Sequence, residues 1–105
     1  MVKRPWGHYE VLATGKGYKV KRLTILPGKR TSLQKHRFRD EYWTIVSGPQ
    51  KGIRLSIPKN HKHRISNKGD KPVVYIEVQL GERCEEKDIL RIADDYGRAN
   101  PTRSI

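Results

Sequence analysis

Short runs of β-branched and aliphatic residues, each stopped by proline or glycine, set the architecture open to this chain. Tyr18 to Leu26 ends at Pro27-Gly28, and Glu41 to Val46 closes on Ser47-Gly48-Pro49. Ile53 to Ile57 alternates apolar with polar residues up to Pro58, and Val73 to Leu80 lies between Pro72 and Gly81. Runs of this length with this punctuation predict strands joined by turns, and several of them in succession predict an all-β sandwich or barrel. Only Glu85 to Ile92 reads as helical, with Ile89, Leu90 and Ile92 crowded at its end. No internal repeat, low-complexity tract or linker divides the sequence, so its 105 residues are expected to form one domain, 1–105, frayed from about 99 to 105.

Charge narrows the partners. Lys and Arg number 23 against 11 Asp and Glu, a net +12, which attracts polyanions and makes nucleic acid the first partner to weigh. The charge is uneven: residues 1–39 hold eleven bases and only Glu10 as an acid. No helix-turn-helix, zinc-finger or RNA-recognition pattern accompanies it, which leaves non-specific, salt-sensitive binding through a basic face. No stretch approaches the roughly 18 apolar residues of a membrane span and no apolar signal core follows Met1, so a cytoplasmic protein without membrane contact is expected. The lone Cys84 sits among Glu82, Arg83, Glu85 and Glu86, a setting that does not activate a thiol.

Four side chains carry metal-ligand chemistry. Gln34 and His36 are two apart, so on a strand they share one face. Glu41 opens the next strand and His63 begins a later one, and all four converge if that face points into a barrel. Imidazole, carboxylate and amide oxygen together suit a divalent transition metal, zinc first, with manganese, iron or nickel as the others, rather than calcium.

These residues lie in a pattern that resembles the cupins. Gly28 to Gly48, with its glutamine-x-histidine pair and following Glu41, is similar to the first cupin motif, and Pro58-x-Asn60-x-x-His63-x-x-x-Asn67 to the second. Arg4-Pro5-Trp6-Gly7, Ser32-Leu33-Gln34-x-His36, Trp43-x-x-Val46-Ser47-Gly48, Glu77-Val78-Gln79 and Asp94-Asp95-Tyr96-Gly97-Arg98 look like the type II mannose-6-phosphate isomerase cupin. That module also forms the C-terminal part of bifunctional mannose-1-phosphate guanylyltransferases. The resemblance runs from residue 4 to 98. It implies a small double-stranded β-helix, the cupin jelly-roll barrel, with the segment 85–92 as a short C-terminal helix. Only nine residues separate Gly48 from Pro58, so the barrel is expected to be about one hairpin short and open on one side, or completed by a second copy. An exposed edge strand invites pairing, and a homodimer follows.

The resemblance further implies a metal-dependent isomerase that interconverts mannose 6-phosphate and fructose 6-phosphate through an enediol. Gln34, His36, Glu41 and His63 would hold the metal as a Lewis acid, and His61 and Glu77 are the candidates for the general base. Arg98 joins them as a further catalytic candidate, and Lys19, Lys21, Arg30 and Arg64 are the candidate phosphate ligands. Lys19 and Lys21 share a strand face: either they point inwards beside an anion or they face water on an outer sheet. Trp6, Tyr9 and Trp43 are expected in the core. The alternative is a non-catalytic cupin binding a sugar phosphate or nucleotide sugar, because a shortened wall excludes water poorly.

Overall fold

A computed structural model describes residues 1–98; the expected fraying of the tail lies outside the described residues. Eight strands follow in order: β1 (Val2–Arg4), β2 (Gly7–Gly15), β3 (Tyr18–Ile25), β4 (Leu33–Lys35), β5 (Arg39–Ser47), β6 (Arg54–Ile57), β7 (Val73–Gly81) and β8 (Leu90–Ala93). Six form one antiparallel sheet in the order β1-β2-β3-β7-β5-β6, and β4 and β8 form a second, two-stranded sheet. Isolated bridges Arg30↔Ser66 and Gln34↔His63 continue the second wall beside β4.

The alternation seen in the sequence becomes an inside and an outside. Cross-strand partners share a face, and the register pairs Leu23 with Tyr75 and Tyr75 with Ile45. With Trp6, Tyr9, Ile25, Trp43, Ile65 and Val73 these residues are buried as one apolar core. Further along the same inner face the chemistry changes. Lys21 pairs with Glu77 and Glu77 with Trp43, and Glu41 pairs with Gln79. One end of the interior is therefore apolar and the other polar. Lys21 is turned inwards and only 4 % exposed, which decides between the two orientations open to it.

Two glycines make close crossings that no other residue allows. Gly48 ends β5 at φ +102°, and a Cβ there would lie 2.8 Å from the Pro72 carbonyl oxygen. A Cβ on Gly81 would lie 2.1 Å from the Phe38 carbonyl oxygen, where β7 passes the start of β5. The second-motif residue Asn67 is structural: its amide donates to the carbonyls of Ile25 (2.9 Å) and Lys71 (2.7 Å) and so ties the wall to the end of β3.

One element differs from expectation. The described residues contain no helix, and Glu85–Ile92 is instead a turn followed by β8. Two helical turns gain too little from their own hydrogen bonds to persist, whereas pairing Arg91 with Gln34 and Leu90 with Lys35 satisfies the backbone against β4. The short stretch between Gly48 and Pro58 leaves β6 with four residues against nine in β5. Leu55 lies on the same face as Trp43, its register partner, yet is 44 % exposed because no strand covers this flank. Among the described residues no helix is long and apolar enough to cross a membrane.

Candidate metal centre

At the polar end of the interior, a cavity is lined by Gln34, His36, Glu41, His63, Glu77, Lys21 and Arg98, together with Arg4, Arg39, Glu86 and Arg91. All four expected metal ligands therefore meet in one place. The bridge between Gln34 and His63, with backbone hydrogen bonds of 3.0 and 2.8 Å, sets those two residues side by side. His36 reaches the same point from the end of β4 and Glu41 from β5.

The ligand atoms of His36, Glu41 and His63 all lie within 4.8 Å of one another. His36 Nε2 is 3.1 Å from one Glu41 oxygen, and His63 Nε2 is 3.5 Å from the other. Both rings are oriented through their opposite nitrogens. His36 Nδ1 meets the Asp88 carbonyl oxygen, and His63 Nδ1 meets that of His61 at 3.1 Å. A carbonyl only accepts, so each Nδ1 carries the proton and each Nε2 offers a lone pair. Burial, with Arg39 adding to it, pushes the His36 imidazole down to about 4, and burial lowers His63 as well. The two Nε2 lone pairs and the Glu41 carboxyl thus face one another out of water, an arrangement that a cation stabilises; the Arg39 guanidinium, 2.9 Å from Glu41, supplies one, and a metal ion would supply another. Two imidazoles and a carboxylate, with the Gln34 carboxamide beside them, fit a divalent transition ion. Ser32 Oγ accepts from the Gln34 amide nitrogen at 3.1 Å, so the carboxamide oxygen is the end suited to a cation.

A second buried carboxylate adjoins the cluster. The Trp43 indole donates to Glu41 and to Glu77, each at 3.1 Å, and Gln79 donates to Glu77 at 2.7 Å. Burial first, and then the Glu41 charge, push the Glu77 carboxyl up to about 7 against the opposing pull of Lys21.

The remaining expected residues scatter. Lys19 does not line the cavity, and its ammonium is 3.5 Å from Glu86, which does. Arg98 is paired with Asp94 at 2.9 Å. Arg30 is turned outwards to Asp95 at 2.7 Å, and Arg64 donates to the Thr31 carbonyl at 2.9 Å and lines a separate depression with Pro49 and Gln50. His61 is exposed on the loop before His63. Sequence reasoning passed over Arg39, which donates to Glu41 at 2.9 Å and to His36 Nε2 at 3.3 Å. Its place two residues before Glu41 on one strand was the available signal. Glu86 was passed over too, and no periodicity marks it.

An all-β double-stranded β-helix with a glutamine, two histidines and a glutamate gathered at the polar end of its interior defines a cupin. More narrowly, residues 1–94 match the family described as "Mannose-6-phosphate isomerase C-terminal", and the chain belongs to that family. It is 40% identical to the mannose-1-phosphate guanylyltransferase of Escherichia coli (strain K12) over 109 residues, covering 92% of this chain and 23% of that protein. It is 41% identical to the alginate biosynthesis protein AlgA of Pseudomonas aeruginosa over 117 residues, covering 99% of this chain and 24% of that protein. The chain thus spans about a quarter of the length of these relatives. The first of these alignments is longer than the residues of this chain that it uses, 109 positions for 92% of 105, so about a dozen positions have no counterpart here. A Klebsiella pneumoniae protein with a double-stranded β-helix domain superposes with a TM-score of 0.71 at 16% identity, over 90% of this chain and 91% of that one.

These findings correct the expectation of mannose 6-phosphate and fructose 6-phosphate interconversion. The relatives at about 40% identity are named for guanylyl transfer and for polysaccharide biosynthesis, and the matched region is a fraction of them.

Proposed function

We propose that this chain is a metal-holding cupin module that binds a sugar phosphate or a nucleotide sugar and serves a guanylyltransferase alongside it. The observation that carries the reading is the meeting of His36, Glu41 and His63 within 4.8 Å in a cavity whose wall also bears Arg4, Lys21, Arg39, Arg91 and Arg98. The cluster suits a divalent transition metal, zinc first by its His-His-carboxylate set, and the cationic wall suits a phosphate-bearing ligand. The names of the relatives point to mannose 1-phosphate and its nucleotide sugar as the ligands to test.

The test joins elemental analysis to thermal denaturation. The purified protein is expected to hold close to one divalent metal per chain, and mannose 1-phosphate or GDP-mannose is expected to raise its Tm. Both effects are expected to vanish in His36→Ala. Metal-free protein whose Tm responds to neither ligand would end the reading.

The uncovered flank favours a homodimer. β6 is an edge of the six-stranded sheet, and Ile53 and Leu55 beside it are 45 % and 44 % exposed. A second copy laid against β6 would cover them and pair the free strand edge.

A further inference from the structure

Between β7 and β8 the chain runs from Glu82 to Ile89 without strand or helix, and one of its side chains occupies the cationic part of the cavity. Glu86 lies 2.5 Å from the Lys21 ammonium and 3.5 Å from that of Lys19 through the same carboxylate oxygen. Lys21 Nζ also sits 4.0 Å over the Tyr9 ring. The two lysines are two residues apart on β3 and so share one face, Lys21 buried and Lys19 with 17 % of its side chain exposed. Burial pushes the Glu86 carboxyl up, yet Lys21 and Lys19 together hold it below the usual carboxylate range.

The segment does not depend on this side chain for its place. Arg39 donates to the Glu85 carbonyl at 2.8 Å, and the Asp88 carboxylate accepts from the backbone N–H groups of Arg37 and Phe38 at 2.9 and 3.0 Å. The Glu86 side chain is 43 % exposed, so one side of it already meets solvent. It can leave the lysines by rotating, with its backbone still anchored. A phosphate monoester carries between one and two negative charges at neutral pH and several acceptor oxygens, more of both than the single carboxylate it would replace.

We propose that Glu86 is a tethered stand-in for the ligand's phosphate: it holds the Lys19–Lys21 position and yields it to a sugar that carries phosphate, so that it sets the ligand class of the cavity. A neutral sugar brings nothing to replace the carboxylate and leaves it in place. Glu86 is thus a specificity-determining residue for the binding function proposed above, and the inference rests on that reading.

The test titrates metal-loaded protein with inorganic phosphate, mannose 1-phosphate and mannose. Glu86→Gln removes the competing charge and is expected to tighten both phosphate-bearing probes by about tenfold or more, with mannose unchanged. Lys21→Met is expected to weaken them by a similar factor. Hydrogen exchange over residues 82–89 of the unaltered protein, which needs no variant to fold, is expected to stay unchanged when phosphate is added, because only the side chain leaves while Arg39 and Asp88 keep the backbone in place. Phosphate affinity that is unchanged or weaker in Glu86→Gln, or exchange over 82–89 that quickens on phosphate addition, would overturn the inference. If mannose 1-phosphate still binds the unaltered, metal-loaded protein in that case, the binding function stands and only the role of Glu86 falls. If it binds neither the unaltered protein nor Glu86→Gln, both fall together.

Discussion

His36 and Asp88 stand 52 positions apart and meet through the imidazole Nδ1 and a backbone carbonyl oxygen. That contact turns the other ring nitrogen towards Glu41. It exists because the Asp88 carboxylate accepts from two successive N–H groups, those of Arg37 and Phe38, and so fixes the strap against the strand that carries the histidine. Asp88→Ala is therefore expected to lower affinity for a divalent metal by about 10–100-fold, the usual scale for losing the group that orients a ligand. Competition with a chelating indicator measures this. Affinity equal to that of the unaltered protein would show that the strap does not orient the ring.

Glu77 gives the metal-free protein a distinctive pH response. Its folded-state carboxyl lies at about 7, above the ordinary value of 4.5, so the folded state binds more protons than the unfolded state between those limits. This contribution is complete below pH 4.5 and is lost as pH rises through 7. Replacing the carboxyl by an amide removes the loss, so Glu77→Gln is expected to gain stability over the unaltered protein from pH 4.5 upwards, by about 3 kcal/mol at most above pH 7. His36, held near 4, acts in the opposite sense between 6.5 and 4 and feels the Glu77 charge, so the difference is read most cleanly above pH 6.5, where that imidazole is neutral in both states. Urea denaturation across this range reads the effect, and a difference that stays flat with pH contradicts it.

The Trp43 indole serves two carboxylates at once, Glu41 and Glu77. Trp43→Phe keeps an aromatic ring but strips both of their shared donor. The expected loss is about 1–3 kcal/mol, the cost of leaving a buried acceptor unsatisfied, together with a smaller term for the lost ring volume. Chemical denaturation at pH 8, above the Glu77 value of about 7, is the sensitive condition.

The open flank bears on assembly. Leu55→Lys places a charge on the uncovered inner side of β6 and is expected to convert a dimer into a monomer in sedimentation equilibrium, with little change in monomer stability because the residue is already 44 % exposed. A protein that sediments as a monomer before any substitution removes the β6 interface.

The reach of the sequence was set by locality. β3, β5, β6 and β7 were legible because their alternation of apolar and polar residues is the pleat itself. β1 and β2 were not read as strands; in β2, Val11, Leu12 and the residues that follow are exposed and blur the alternation. β8 was mistaken for a helix because Ile89, Leu90 and Ile92 fit either period, and its partner β4 lies more than fifty residues away. The four candidate ligands were legible as a motif because strand period and spacing carry them to one face.

Sequence alone thus determined the fold class, the family and which residues to look for at the polar end of the interior, all of which rest on residue type at short spacing. Tertiary structure decided that Arg39 reaches both Glu41 and His36, that Arg30 and Arg64 turn away from the cavity, and that Glu86 holds the lysine pair. Those pairings depend on where a long, flexible charged side chain finds a partner across space, which no periodicity along the chain encodes. Burial at the polar end of the barrel then selects the partners, because an ion withdrawn from water must be matched.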